Sequence, residues 1–299
     1  MKRYIALILC IIISVLFCSC TDFTLIGFES KKETETEKSK KPEPKEIGSL
    51  DPELNTEIYN KNGITVTADS YYIDSQGDAV ISCTATNNTD ETIHVAFKHP
   101  EINGICSAGD SKWGEAKEGQ TITCALEVDA AFLSLAGITE INKYAFRFTI
   151  YNENGRTISD KENQYLCFTA DNNDHEQSVN KEGTSIIDTE ECKIIIQQTQ
   201  NGKEGLDVVA CFINDTDHTL NYQVSNAVIN GINFDVNFLD TFTELPAYSI
   251  TYSTFTIFDS DLNKNGVSKD SITRMDITAA VYNVLEEVVA SCEAKRVEF

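Results

Sequence analysis

The chain has 299 residues, 41% hydrophobic and 24% charged, and its 47 acidic side chains against 24 basic ones give a formal net charge of −23. That length supports two domains of ordinary size beyond a short leader. Such acidity repels phosphate backbones and anionic headgroups, which excludes nucleic-acid binding and membrane contact through a basic face.

The chain opens MKRYIALILCIIISVLFCSC, with Lys2 and Arg3 ahead of an almost unbroken apolar run from Tyr4 to Phe17. This is the pattern of a secretory signal, its apolar stretch too short for a stable membrane span. Leu16-Phe17-Cys18-Ser19-Cys20 resembles a bacterial lipobox, although Phe17 and Cys18 depart from its commonest residues. The resemblance implies a signal peptide over 1–19, cleavage after Ser19 and diacylglycerol on the Cys20 thiol. It also implies residence on the outer face of the bacterial cytoplasmic membrane, lipid-anchored and exposed to the exterior. Residues 29–46, ESKKETETEKSKKPEPKE, hold no aromatic or large aliphatic side chain that could offset ordering entropy. A flexible charged tether is therefore expected over 20–55. With the two positive charges of the signal and the single net negative of residues 21–50 set aside, −24 remains on residues 51–299. After Cys20 no further apolar run is long enough to cross a bilayer.

Two stretches then read alike at a separation of about 127 residues: VISCTATNNTDETIHVAF from Val80 and VVACFINDTDHTLNYQV from Val208. Asn87-Asn88-Thr89-Asp90 aligns with Asn214-Asp215-Thr216-Asp217, and Ile102-Asn103-Gly104 with Ile229-Asn230-Gly231. Further on, Ala136-Gly137-Ile138 matches Asn265-Gly266-Val267, and Ile150-Tyr151-Asn152 matches Val281-Tyr282-Asn283. Landmarks in one order with little drift argue for duplication of a whole domain. Runs such as QTITCALEV, YAFRFTIY and SITYSTFTIF are rich in Thr, Ile, Val, Tyr and Phe, as strands are. Between strand-like runs fall the turn pairs Asn62-Gly63, Asn103-Gly104, Asn154-Gly155, Asn201-Gly202 and Asn230-Gly231. About seven short strands per copy predict an all-β chain of two tandem immunoglobulin-like β-sandwich domains, over 56–170 and 184–299. The break from Asp129 to Ala136, matched by Asp259 to Asn265, predicts a single helical turn between two strands. Residues 171–183 form a polar linker, from which each half is expected to fold by itself.

This order of motifs resembles the duplicated immunoglobulin-like domains of unknown function found in surface lipoproteins of clostridia and related Firmicutes. The resemblance covers most of residues 60–170 and 190–295. It implies fold and location and carries over no catalytic residue.

The sharpest local motif is Asp259-Ser-Asp261-Leu-Asn263-Lys-Asn265-Gly266, which from Asp261 places oxygen side chains at loop positions 1, 3 and 5 and Gly at 6, as a calcium loop does. Position 12, however, is Ile272 where a bidentate carboxylate should close the shell, and the first copy has DAAFLSLAGI at the matching place. A helical turn capped by Gly266 accounts for the motif without metal, so Asp259, Asp261, Asn263 and Asn265 stand as a weak calcium candidate and no cofactor or metal is expected. The histidines His94, His99, His175 and His218 are scattered. His94 and His99, five apart on one strand, are expected on opposite faces. No nucleophile carries a G-x-S-x-G context, so no enzyme is expected.

Beyond Cys20 the mature chain keeps Cys83, Cys106, Cys124, Cys167, Cys192, Cys211 and Cys292 without a C-x-x-C pair. Cys83, Cys124, Cys167 and Cys211 lie in apolar strand-like runs, where a thiol acts as a small hydrophobe, so mostly reduced, buried cysteines are expected. Trp113, the chain's one Trp, lies in SAGDSKWGEAKEG, and the matching connection of the second copy carries Phe234, Phe238 and Phe242. Aromatics in both copies favour packing over a sandwich edge. If either domain has a recognition surface, this connection is where it is expected. The reading that follows is a non-catalytic surface lipoprotein, held to the membrane by its lipid, whose sandwiches bind or scaffold a protein or glycan partner of the envelope or exterior. The alternative is a solute-capture lipoprotein serving a transporter, which calls for two α/β lobes around a cleft.

Overall fold

The computed structural model describes residues 53–107, 111–159, 164–170, 176–236 and 242–299. The signal, Cys20 and residues 20–52 of the expected tether lie outside them, as do linker residues 171–175, His175 and Phe238.

The first half comprises β1 (Glu53–Lys61), β2 (Ile64–Ile73), β3 (Ala79–Asn87), β4 (Ile93–Ile102), β5 (Ile105–Cys106), β6 (Ser111–Ala116), β7 (Thr121–Val128), α1 (Ala130–Leu135), β8 (Lys143–Asn152) and β9 (Gln164–Thr169). The second repeats the order: β10 (Thr184–Asp188), β11 (Cys192–Asn201), β12 (Gly205–Asn214), β13 (Leu220–Ile229), β14 (Ile232–Asp235), β15 (Phe242–Leu245), β16 (Ser249–Phe258), α2 (Asp259–Lys264), β17 (Arg274–Asn283) and β18 (Val288–Glu298). Each half forms two antiparallel sheets. In the first, β1-β2-β3-β7 faces β5-β4-β8-β9, with β6 beside β4; in the second, β10-β11-β12-β16 faces β14-β13-β17-β18, with β15 beside β13. β2, β3 and β7 face β4, β8 and β9, and β11, β12 and β16 face β13, β17 and β18, which is the immunoglobulin arrangement of A, B and E against C, F and G. The chain is all-β, as its turn spacing predicts.

Local chemistry explains the connections. Asn62-Gly63, Asn103-Gly104 and Asn230-Gly231 all hold positive φ at both residues and close two-residue hairpins between β1 and β2, β4 and β5, and β13 and β14. The two predicted helical turns are present. Asp129 caps α1 by accepting from the Ala131 N–H at 2.6 Å, and Gly137 and Gly266 leave α1 and α2 at φ +67°. Inside each sandwich the sheets meet through aromatic rings. Tyr71 meets Tyr144 edge-on at 6.3 Å, and Phe212 meets Tyr222 edge-on at 5.4 Å. The hydroxyl of Tyr144 donates to the Leu126 carbonyl at 3.1 Å, and that of Tyr222 to the Ile213 carbonyl.

One side chain recurs with the same bonds in both copies. Asn87 is fully buried at the end of β3; its Nδ2 donates to the carbonyls of Glu91 and Ala116, each at 2.8 Å. Its Oδ1 accepts from the Thr89 N–H at 3.0 Å and the Thr89 hydroxyl at 2.7 Å. Asn214 does the same at the end of β12: Nδ2 donates to His218, Leu245 and Pro246 carbonyls, and Oδ1 accepts from the Thr216 N–H and hydroxyl. The turn from one sheet to the other is thereby tied to the strand that ends beside it. Removing the carboxamide strands several buried backbone groups, each costing about 1–3 kcal/mol. Asn87→Ala and Asn214→Ala are each expected to lower the urea-unfolding free energy by about 2–3 kcal/mol, and Asn→Asp, which cannot donate, should not rescue either. A loss below about 0.5 kcal/mol, the range of a neutral surface change, would remove this role.

The two sandwiches belong to one compact unit. On β11 and β12 the inward side chains Ile194, Ile196, Val208, Ala210 and Phe212 fill the second core, while the outward Ile195, Cys211 and Ile213, with Tyr252 of β16, join the buried cluster of the first. Elements against that face are β5 and α1, which touch β16. The described part of the linker is fastened at both ends. Gln177 N–H donates to the Asn103 carbonyl at 2.8 Å, and Val179 packs on the first core. Asn180 N–H donates to the Tyr252 hydroxyl at 2.9 Å. Strands buried on both faces read as continuous apolar runs, and Ile194 to Ile196 and Val208 to Ile213 do so. The polar linker composition gives no sign of this contact. Calorimetry of the intact protein should show one transition, and Tyr252→Ala should split or broaden it; two transitions in the parent would show that the halves are energetically separate.

Candidate functional site

Trp113 sits on β6, opposite Ala96 of β4, while Tyr151 of β8 lies opposite His94 on the other side of β4. The indole and the Tyr151 ring stack with centroids 5.7 Å apart and planes 21° from parallel. Since β6 and β8 flank β4, the rings can meet only above it, and Ala96, the small outward residue beneath, is fully buried. Lys98 Nζ lies 5.4 Å from the indole centroid. Held on these sides, Trp113 still keeps 59% of its surface exposed.

β6 is pinned to the sheet edge from behind. A Cβ on Gly114 would come within 2.3 Å of Cys124 Sγ, so glycine lets the strand approach β7. Lys112 Nζ pairs with Glu127 Oε2 of β7 at 3.0 Å. Beside the indole opens a recess of about 490 Å³, lined by His94, Trp113, Tyr151, Asn152, Glu153 and Gly155. Asn152 Oδ1 accepts from the N–H groups of Asn154 and Arg156 at 3.1 and 2.9 Å, which fixes the hairpin forming the far wall.

The second copy treats the same connection differently. Phe242 opposes Gln223 on β13 in the register that sets Trp113 against Ala96. Phe234, expected with Trp113 among the surface aromatics, is instead a core side chain, 2% exposed. The alternation of β14 turns it inward, and its neighbourhood in the sequence did not reveal that phase. Phe238 lies outside the described residues.

The acidic motif forms α2 and its exit rather than a loop. Asp261 lies two residues from both Asp259 and Asn263 on α2 and so faces away from them, while Asp259 and Asn263, four apart, share the other face. Asp259 receives the Lys269 ammonium, 2.8 Å from Oδ1 and 3.0 Å from Oδ2. Asn265 Nδ2 donates to the Asp261 carbonyl at 2.9 Å, and the Val267 N–H reaches back to Leu262 at 2.9 Å. Among the described residues no group of three or more His, Cys, Asp or Glu side chains is arranged for a metal ion. Excess calcium should leave the thermal transition in place, since an ion at a hundredfold excess over its dissociation constant adds about 2.7 kcal/mol. A rise of several degrees that Asp261→Ala abolishes would reinstate the site.

His94 lines the recess. His99 follows a break in strand register after Lys98 and has φ +51°; its Nε2 approaches Glu244 Oε1 of β15 at 3.3 Å. This contact joins the two halves, and the hydrogen bond from His99 holds the Glu244 carboxyl below its usual range. His218 Nδ1 lies 3.1 Å from Asp217 Oδ1. Burial raises the thiols of Cys83 and Cys124, which face each other across β3 and β7, and pushes Cys211 up to about 12. Cys167 departs from the expectation of a buried cysteine: it is exposed on the outer strand β9.

No family model matches the sequence, and no curated protein matches it significantly. Among solved structures, it is similar to the YadV chaperone at 9% identity over 78% of this chain and all of that one, with a TM-score of 0.22. The complex of Salmonella enterica SafA pilin with the SafB chaperone matches at 11% identity over 82% of this chain and all of that one, with a TM-score of 0.21. Amycolatopsis orientalis exo-chitosanase CsxA matches at 11% identity over 75% of this chain but 26% of its own, with a TM-score of 0.24. Likenesses at this level carry no argument about function.

Proposed function

We propose that the protein is a non-catalytic surface lipoprotein, anchored through a lipid on Cys20, whose tandem sandwiches bind a partner outside the cytoplasmic membrane. The observation that carries the binding reading is Trp113: a large ring immobilised by Tyr151 and Lys98 yet 59% exposed beside a recess. Large aromatics held rigid on a surface supply contact area at little entropic cost. The apolar leader ending at Ser19-Cys20 supports the anchoring half of the reading. Solute capture between α/β lobes is less well supported, because the described residues form four antiparallel sheets with two six-residue helices.

Two measurements test this. Cys20→Ala should leave an uncleaved precursor without lipid label; a labelled, membrane-held variant would overturn the anchor. A benzophenone amino acid in place of Glu153, at the rim of the recess, should give light-dependent adducts on cells carrying the full chain. Absence of any adduct, with surface display intact, would overturn partner binding at this face.

A further inference from the structure

We infer that the Trp113 recess is a binding site for an uncharged pyranose saccharide, a proposal that rests on the partner-binding reading above and names its ligand. A pyranose ring presents an apolar face of C–H bonds and an equatorial girdle of hydroxyls. The site offers a counterpart to each. The indole lies within 21° of the Tyr151 ring plane with centroids 5.7 Å apart and has Lys98 Nζ over it at 5.4 Å, yet 59% of its surface stays exposed for a sugar to lie upon. Around the recess stand the His94 imidazole, the Asn152 amide and the Glu153 carboxylate, donors and acceptors of the kind that hydroxyls need. Its volume, about 490 Å³, falls in the range of small-ligand sites and accommodates a few sugar units.

The surroundings narrow the class. A chain of net charge −23 disfavours polyanionic glycans, and Lys98, the lysine at the indole, is engaged with the ring itself. A proline-rich peptide is the competing occupant, because it also docks on aromatics, but it seats its ridges in grooves between aromatic side chains. Here the two rings run parallel and close, leaving a platform with a recess at its side. The facing strand supports the same arrangement: Ala96 is the small side chain over which the rings meet, and Gln223 takes its register place in the second copy. The platform is thus a property of the first sandwich.

Trp113 is the chain's one Trp, so its emission reports this site alone. The full chain, in a detergent without a sugar headgroup, is titrated with cellohexaose, xylohexaose, mannohexaose and N-acetylchitohexaose, and in parallel with a decaproline peptide. At least one oligosaccharide should shift the emission to saturation with a dissociation constant of about 10 µM to 1 mM, the range for a shallow site. By calorimetry, Trp113→Ala should weaken that binding by about tenfold or more, Tyr151→Ala and His94→Ala by lesser factors, and Trp113→Phe should retain some of it. Tyr248→Ala, which removes an exposed aromatic elsewhere, should leave affinity unchanged. Because Trp113 is largely exposed, its variants should keep the parent melting temperature; should Trp113→Ala unfold, Trp113→Phe and His94→Ala carry the comparison. Saccharide binding that none of the recess variants weakens would overturn the proposal. So would no binding by any of the four, whether or not decaproline binds. Light-dependent protein adducts at position 153, with no saccharide binding, would leave partner binding standing and remove the sugar.

Discussion

A carboxamide with no water around it governs both sandwiches. Asn87 and Asn214 each donate to carbonyls on two chain segments and accept from the turn that follows, so each joins the end of one sheet to the start of the facing one. A buried amide is stabilising only when its donors and its oxygen are all engaged, which fixes the turn and the neighbouring strand together. The entry of β4 and of β13 is set there, and with it the phase of the side chains up to the register breaks after Lys98 and Val224. In the first sandwich that phase sends His94, Ala96 and Lys98 outward beneath the Trp113–Tyr151 pair. An outward-facing aromatic platform is thereby positioned by a polar side chain buried inside the fold.

The second constraint is that one sheet has two dry faces. β11 and β12 fill their own core with one set of side chains and meet the first sandwich with the other. The contact adds a polar fastening through Tyr252 and Asn180, and His99 with Glu244 joins the halves as well. Two domains related by duplication are therefore held in one arrangement instead of turning freely about a linker.

Much of this is written in the residues. The Asn-Gly hairpins give turns because few other side chains accept left-handed backbone, and the repeated N-x-T-D segments because their Asn bonds its own turn. Gly137 and Gly266 mark where the two short helices stop. Other features escape a linear reading. The role of Asn87 needs Ala116, which is distant in sequence. Trp113 belongs to a loop-like string rich in Gly, Ser and Lys, and its strand character comes from pairing with β4. The exposure of Cys167 follows from β9 lying at a sheet edge, which apolar composition does not announce. The contact between halves was legible in principle, since runs such as III from Ile194 and VVACFI from Val208 leave no polar face, but the same runs also suit a strand deep in one core.

The direction in which the first strand enters has a mechanical consequence. Glu53 pairs with Ser70, far from the Asn62-Gly63 hairpin, whereas the Asn88 N–H bonds to the Gly63 carbonyl and the Asn152 hairpin lies at that same end. The polypeptide that precedes β1 thus joins the sandwich at one end, and the Trp113 recess opens toward the other. Under the anchoring and binding proposed above, tension between the membrane and the recess would run parallel to the strands. The bonds between β1 and β2 then carry the load together in shear, where an opposite entry would let them break in succession like a zip. A sandwich threaded this way is suited to staying folded when its first strand and its far end are pulled apart.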